Sequence, residues 1–231
     1  MGLAGLAWLA WLDDLVTERT GSMRLTVFGA TGGIGTEVVR QALAAGHEVV
    51  AVVRDPARLA VPAGAGLGVV TADVMDPAEI GPAVKGADAV VSALGPRPGG
   101  PTTVLADSAG SILAALGQTG VRRLVVVSAS GAFIEPGEPF VTRVLVKPLL
   151  QRILRDAMAD TQRMEAEIRT SDTDWTLMRP PRLTSRPGRG RYRRMIDRNV
   201  GRTIARADVA DAILATLADP ATIGHAVGIG Y

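Results

Sequence analysis

The chain contains no cysteine, two histidines and few aromatic residues. The lack of Cys excludes disulfides, thiolate metal ligands and thiol catalysis, and two His cannot form a His-rich metal centre, so we expect no metal. No apolar run approaches the roughly 20 residues that a membrane-spanning helix needs. Aromatic residues make up 3% of the chain and the formal net charge is +2, which argues against nucleic-acid binding. These absences favour a soluble protein without a membrane span.

The 231 residues are 47% apolar and 21% charged, which is enough to bury one sizeable core. We expect one domain over residues 23–231, preceded by an apolar N-terminal helical extension over residues 1–22. The extension lacks the basic start and the small-residue cleavage site of a secretory signal, so the cytoplasm is the expected location. It is interpreted as a helix packed on the domain or as residues upstream of a true start at Met23. A membrane-surface or partner-binding helix is the alternative.

From Met23 the sequence is typical of a β-α-β unit, in which an apolar strand, a glycine cluster, an amphipathic helix and a second apolar strand follow one another. The glycines have the spacing G-x-x-G-x-x-G, with a fourth glycine inside it. In this position a glycine allows a tight turn, a close backbone approach to a pyrophosphate and close packing of helix on strand. We therefore predict dinucleotide binding, because a turn needed only for packing does not account for four glycines in seven residues. The predicted loop residues are Gly29, Thr31, Gly32, Gly33, Ile34 and Gly35.

The residue at the end of the second strand predicts which dinucleotide is bound. Sites for NAD carry an Asp or Glu there, which binds the ribose hydroxyls. In this chain the strand ends in Arg54, and Arg58 follows one turn later. A guanidinium suits a 2′-phosphate in charge and in geometry, so we predict NADP(H). The alternative is that Asp55 turns inward and Arg54 is only solvated.

The rest of the chain alternates strands and helices, which predicts a single α/β domain with a doubly wound, all-parallel Rossmann sheet. Strands are predicted at 68–71, 87–93, 123–128 and 175–179, and helices near 77–84, 102–116 and 154–170. Ligands of such sheets bind at the carboxyl ends of the strands. We therefore expect Asp73 and Val74 to flank the adenine, and the ribose and nicotinamide to lie near Ala93, Leu94 and Gly95.

The chain lacks the Tyr and Lys pair with which short-chain dehydrogenases oxidise alcohols. In that pair the Lys lies four residues after the Tyr and lowers its pKa. The two tyrosines are Tyr192 and Tyr231, and neither is followed by such a Lys; Lys147 has Arg143 four residues before it. Alcohol dehydrogenases and sugar epimerases of that kind are therefore disfavoured.

Several motifs in order resemble the atypical short-chain dehydrogenase/reductase-like NAD(P)H-binding proteins, and most of all their flavin reductase and biliverdin-IXβ reductase group. The motifs are GATGGIG, VVRDPARL, TADV, ALGPRPGGPTT, VVVSASGAF and RPPRL. The resemblance implies a reductase that passes a hydride from NADPH to a flavin, quinone, tetrapyrrole or similar conjugated acceptor. It also implies an active-site Ser at Ser130, with Ser128 beside the nicotinamide. The alternative function is a non-catalytic NADP(H)-binding redox sensor or regulator.

One position departs from the group. A His follows the Pro-Pro pair in the flavin reductases, whereas Arg182 follows Pro180 and Pro181 here. An Arg can hold an anionic substrate but cannot donate a proton, so we expect a small-molecule acceptor at Arg182, where the guanidinium would suit an anionic group. The oligomeric state is left open.

The densest charge of the chain is a run of nine arginines between positions 182 and 206. The resemblance places this segment over the substrate pocket, and segments 131–152 and 180–206 are expected to form a small substrate-binding cap. The alternative is that most of these arginines are solvated. Only Arg182 is assigned a substrate-binding role. Asp208, near the start of the last helix, is predicted to be structural.

Overall fold

The computed structural model describes residues 21–96, 103–133 and 155–231. Nearly all of the predicted N-terminal extension, and residues 134–152 of the predicted cap, therefore lie outside the described residues. Among the described residues, no helix has both the length and the apolar character needed to cross a membrane.

The described residues form ten strands, which in chain order are β1 (Arg24–Phe28), β2 (Glu48–Val53), β3 (Leu67–Thr71), β4 (Ala89–Ser92), β5 (Arg123–Val127), β6 (Asp174–Arg179), β7 (Arg182–Thr184), β8 (Arg193–Ile196), β9 (Thr203–Ala205) and β10 (His225–Gly230). Eight of these strands form one sheet in the order β3-β2-β1-β4-β5-β6-β10-β8. The order reverses between β1 and β4, as in a doubly wound Rossmann sheet. The predicted fold class is therefore confirmed.

The sheet is not parallel throughout, which corrects the sequence expectation. Strand β8 pairs antiparallel with β10 at the edge of the sheet, whereas the other pairs in the sheet are parallel. All four residues of β8 are exposed. A continuous apolar run is the pattern of a parallel strand covered on both faces, and the Arg-rich β8 lacks that pattern because it is an edge strand.

Five described helices cover the two faces of the sheet. They are α1 (Gly33–Ala44), α2 (Pro77–Val84), α3 (Val104–Thr119), α4 (Arg155–Arg169) and α5 (Arg206–Leu217). Helices α1 and α5 pack together on one face, and α2, α3 and α4 pack on the other. Strand β1 contributes apolar side chains to both faces of the sheet. Leu25 and Val27 pack in the hydrophobic cluster on the α1 face, and Phe28 packs in the cluster on the opposite face.

The predicted helices agree with the observed ones to within a few residues. Helix α2 has the predicted bounds because Pro77 occupies its first turn and the Asp76 carboxylate accepts a 2.8 Å hydrogen bond from the backbone N–H of Ala78. Helix α3 ends at Thr119 and is capped by Gly120, which has a positive φ of 75°.

A second, two-stranded sheet lies beyond the end of β6. Strand β7 (Arg182–Thr184) follows Pro180 and Pro181 directly and pairs in parallel with β9 (Thr203–Ala205). The backbone N–H of Tyr231 donates to the carbonyl of Thr203 at 3.0 Å, so the small sheet is tied to the end of β10. The segment predicted to form a cap therefore contains a structured element attached to the main sheet.

The contact between β1 and α1 requires glycine at position 35. A Cβ atom there would lie 2.1 Å from the carbonyl oxygen of Gly29 and 2.9 Å from the Cα of Ala30. Both are backbone atoms, so they cannot move aside as a side chain can. The helix lies this close to the strand only because residue 35 has no side chain.

Replacing Gly35 with Ala therefore tests the helix-strand contact. We expect Gly35→Ala to lower the free energy of unfolding by at least about 2 kcal/mol, because the added methyl overpacks the contact. The control is Gly117→Ala in α3, where no atom lies within 4 Å of an added Cβ; it should stabilise by about 0.5–1 kcal/mol through helix propensity. Urea unfolding measures both, and equal stabilities would contradict the close-contact account.

Candidate functional site

The predicted glycine loop forms a tight turn at the carboxyl end of β1. Gly29 has a φ of 76°, and its carbonyl accepts a 2.9 Å hydrogen bond from the N–H of Gly32. A Cβ at Gly29 would lie 2.6 Å from the carbonyl oxygen of Ala93. The loop therefore lies against the end of β4, where the nicotinamide side of the cofactor was predicted.

The loop leads into the N-terminus of α1, which is suited to an anion. Gly32 is the N-cap residue and supplies no side-chain cap, and the first turn of α1 contains no acidic residue. The N–H groups of a first helical turn have no partners within the helix, and the helix dipole favours negative charge there. Because glycines leave the backbone uncovered, these residues fit the pyrophosphate of a dinucleotide.

The residues after β2 leave cationic side chains in solvent. Arg54 and Arg58 are both exposed, and Arg58 ends a short 3-10 turn over Pro56–Arg58. Asp55 is the N-cap of this turn, and its carboxylate accepts a 3.0 Å hydrogen bond from the N–H of Ala57. The carboxylate of Asp55 is therefore used within its own turn.

The residues predicted to flank the adenine and the ribose lie at neighbouring carboxyl ends. The Asp73 carboxylate accepts a 3.1 Å hydrogen bond from the N–H of Met75, and Val74 packs on the core. Ala93 and Leu94 are half-buried against opposite clusters. Gly95 is exposed, with no atom within 4 Å of an added Cβ. Because β3, β2, β1 and β4 are adjacent and parallel, these residues lie with the glycine loop at the carboxyl ends of the strands.

Ser128 takes part in a buried network that the sequence analysis missed. Its hydroxyl donates to the Glu165 carboxylate, which also accepts hydrogen bonds from Nε of Arg179 at 2.9 Å and from its Nη2 at 2.5 Å. All three residues are buried, and the guanidinium of Arg179 lies 3.8 Å from the centre of the Phe133 ring. Glu165 in α4 thus fixes the ends of β5 and β6. The two charges lie far apart in the sequence, so no local pattern indicated the pair.

Ser130, the predicted active-site residue, begins a 3-10 turn over Ser130–Ala132. It is half-buried; its N–H donates to the carbonyl of Pro180 at 3.0 Å, and its carbonyl accepts a 3.3 Å hydrogen bond from the Asn199 side chain. The turn is therefore tied to the start of the small sheet and to the segment before β9.

An open cleft of about 630 Å³ lies at the small sheet. Its lining residues come from β7, the residues just after it, and β9, and they are Arg182, Leu183, Thr184, Ser185, Arg186 and Thr203. Arg182 and Arg186 are exposed, so the cleft carries positive charge. The structure thus places Arg182, the predicted substrate-binding residue, in a cleft.

Arg206 connects this cleft with the glycine loop. Its Nη1 donates a 2.8 Å hydrogen bond to the hydroxyl of Ser185, which lines the cleft. A Cβ built at Gly33 would lie 2.6 Å from Cδ of Arg206. The cleft and the glycine loop are therefore adjacent, a relation that the sequence could not show.

Other arginines of the same segment support the fold. The guanidinium of Arg189 lies 4.1 Å from the centre of the Tyr231 ring, Arg193 donates to the Tyr231 carbonyl at 3.0 Å, and Arg194 pairs with Asp219 at 2.6 Å. The arginine-rich segment thus divides into arginines that hold the C-terminal strand and arginines that face the cleft.

Both tyrosine hydroxyls are hydrogen-bonded to carboxylates. Tyr192 donates to Asp211 at 2.6 Å, and Tyr231 donates to Asp208 and accepts from the N–H of Ala205. Burial, followed by the hydrogen bond to Asp211, raises the pKa of Tyr192, and burial and Asp208 do the same for Tyr231. A phenol with a raised pKa is a poor general base near neutral pH.

Asp208 has the predicted structural role. Besides Tyr231, it accepts hydrogen bonds from the backbone N–H groups of Arg189 and Gly190 at 2.8 and 3.0 Å. Burial alone would raise the pKa of its carboxyl, but these three donors outweigh burial and lower the pKa. The residue fixes the arginine-rich loop to the first turn of α5.

The two histidines are also structural. His47 is buried and its Nδ1 accepts a 3.2 Å hydrogen bond from the N–H of Met23, while His225 contacts the Asp197 carboxylate at 2.6 Å. These contacts join the starts of β2 and β10 to neighbouring segments, away from the carboxyl ends of the strands.

The fold and the glycine loop define a dinucleotide-binding Rossmann protein. A family model described as NAD(P)H-binding matches residues 29–220, and the chain therefore belongs to this NAD(P)H-binding family. The predicted membership of an NAD(P)H-binding family is thereby confirmed.

The chain is also similar to particular known proteins. The chain is 31% identical over 122 residues to the photosystem II assembly factor Ycf39 of Synechocystis, a match covering 52% of this chain and 37% of that protein. It is 27% identical over 208 residues to protein YwnB of Bacillus subtilis, covering 86% of this chain and 93% of YwnB. A short-chain dehydrogenase/reductase of Veillonella parvula, solved with NADP, has a similar fold, with a TM-score of 0.74, 18% identity and coverage of 91% and 95%. The chain thus matches little more than a third of Ycf39.

The buried network predicts a large cost for removing the charge of Glu165. We expect Glu165→Gln to lower the free energy of unfolding by about 3 kcal/mol, because Arg179 would remain buried without its carboxylate. Glu167→Gln is the matched control two residues later in α4, where the side chain is exposed; its effect should stay within about 0.5 kcal/mol. Denaturant unfolding of both variants decides the matter, and equal small effects would show that the pair contributes little.

Proposed function

We propose that the protein is an NADPH-dependent reductase that transfers a hydride to a flavin, quinone, tetrapyrrole or similar conjugated acceptor. The observation that carries this proposal is the cationic cleft at Arg182, which adjoins the glycine loop through Arg206. A dinucleotide bound at the loop supplies a hydride donor at this edge of the sheet. An acceptor in the cleft would therefore lie near the cofactor.

The preference for NADPH rests on the end of β2. Arg54 is exposed there, where an NAD site would carry an acidic residue, and Arg58 is exposed on the following turn. Asp55 is engaged with the N–H of Ala57. Two guanidinium groups near the adenosine ribose would bind a 2′-phosphate and would gain little from a bare hydroxyl.

The acceptor class follows from the charges and from the proton donors. Arg182 and Arg186 border the cleft, so an acceptor with a phosphate or carboxylate group fits it. The hydroxyls of Tyr192 and Tyr231 already donate hydrogen bonds to the carboxylates of Asp211 and Asp208. Flavins and quinones suit such a site because their reduced forms can take a proton from water. Ser130, whose N–H donates to the Pro180 carbonyl, is the proposed hydroxyl donor.

Steady-state oxidation of NADPH tests the proposed reaction. Purified protein is assayed with FMN, FAD, a quinone and biliverdin, and we expect turnover with at least one of them.

Arg182→Ala should raise KM for an anionic acceptor about tenfold with a smaller effect on kcat, since it removes a charge-assisted contact. Ser130→Ala with unchanged kcat would remove that hydroxyl from the mechanism. Tight NADPH binding without turnover on any acceptor would instead favour a redox sensor.

Cofactor preference is tested separately by direct binding. Arg54→Ala should weaken NADPH binding about tenfold or more and leave NADH binding nearly unchanged, because only NADPH carries the 2′-phosphate. The control is Arg122→Ala. Arg122 precedes β5 at the amino ends of the strands, away from the proposed cofactor site, and pairs with Asp174 at 3.1 Å. Fluorescence titration measures both dinucleotides, and equal losses with Arg54→Ala would contradict the assignment.

A further inference from the structure

We propose that Arg206 binds the pyrophosphate of the dinucleotide and joins the cofactor loop to the cleft. This inference rests on the dinucleotide binding proposed above and extends it to a residue far from the glycine motif in the sequence. Arg206 is the first residue of α5, and its side chain lies on the first turn of α1.

The fourth glycine of the loop is explained by this contact. The pattern G-x-x-G-x-x-G needs Gly29, Gly32 and Gly35, but not Gly33. A Cβ at Gly33 would lie 2.6 Å from Cδ and 2.8 Å from Nε of Arg206. Glycine at this position therefore allows the arginine side chain to lie directly on the start of α1.

Packing of the two helices brings Arg206 to this place. The side chain of Gln41 in α1 donates a 2.9 Å hydrogen bond to the carbonyl of Ala207, and α1 and α5 share one hydrophobic cluster. The N-terminus of α5 is thereby held beside α1. The hydrophobic cluster thus fixes the helix that begins with Arg206.

The charge arrangement at Arg206 favours an anionic ligand. A helix N-terminus carries partial positive charge, so a guanidinium next to two such termini is repelled by both. The first turn of α1 has no acidic residue. Among the residues that the structure describes, no carboxylate forms an ion pair with Arg206, and its hydrogen bond to Ser185 has a neutral partner. A pyrophosphate would satisfy the guanidinium and the helix N-terminus together.

The contact with Ser185 extends the same side chain to the acceptor cleft. Nη1 of Arg206 donates to the Ser185 hydroxyl at 2.8 Å, and Ser185 lines the cleft together with Arg182. A pyrophosphate bound by Arg206 would therefore lie one side chain away from the cleft wall. Cofactor and acceptor would meet the protein at a shared boundary.

Equilibrium binding of three probes to the full chain tests the proposal. NADPH and NADH both contain the pyrophosphate, whereas adenosine 2′-monophosphate has the 2′-phosphate and no pyrophosphate. We expect Arg206→Gln to weaken NADPH and NADH by the same factor, about tenfold or more, because a charge-assisted contact is lost. Binding of adenosine 2′-monophosphate should be unchanged. Arg54→Ala should give the opposite pattern, with loss of NADPH and adenosine 2′-monophosphate and retention of NADH.

The control is Arg202→Gln, four residues earlier and exposed, which should leave all three affinities unchanged. Thermal unfolding checks that Arg206→Gln remains folded, and Arg206→Lys, which keeps the charge, should recover part of the affinity. Unchanged NADPH and NADH binding in Arg206→Gln would overturn the inference while leaving the proposed function intact. Failure of the native chain to bind either dinucleotide would contradict the proposed function itself, and this inference with it.

Discussion

The close contact of α1 with the end of β1 is the constraint on which the site depends. Gly35 allows the helix to approach the Gly29 carbonyl, and Gly29 in turn allows the loop to lie against Ala93 of the next strand. A side chain at either position would separate the helix, the loop and the end of β4. The same contact places the N-terminus of α1, which has no side-chain cap, at the carboxyl ends of β1 and β4, between which the strand order reverses.

The many arginines have two separate physical roles. Arg179 is buried with Glu165, and Arg194 pairs with Asp219, so their charges are matched by carboxylates and hold neighbouring elements together. Arg54 and Arg182 are exposed at or near the carboxyl edge of the sheet. A net charge of only +2 therefore coexists with exposed arginines near the carboxyl ends of the strands.

The buried network under the site bears on the proposed chemistry. Glu165 binds both Ser128 and Arg179, so it joins α4 to the ends of the two strands that precede Ser130 and the small sheet. A rigid support of this kind suits hydride transfer, which depends on a fixed distance and angle between donor and acceptor. On the face of the sheet opposite α4, Tyr231 and Asp208 likewise connect separate elements, because they fix the arginine-rich loop to α5.

The sequence by itself determined the Rossmann class, the glycine loop and the place of Arg54. These features are local: a period of apolar residues, a spacing of glycines and the last residue of a strand each act within one β-α-β unit. The antiparallel course of β8, the Glu165–Arg179 pair and the contact of Arg206 with Gly33 were decided only by the tertiary structure. They join residues 14 to 173 positions apart, or depend on which strand lies at an edge, and such relations arise only when the helices and strands pack together.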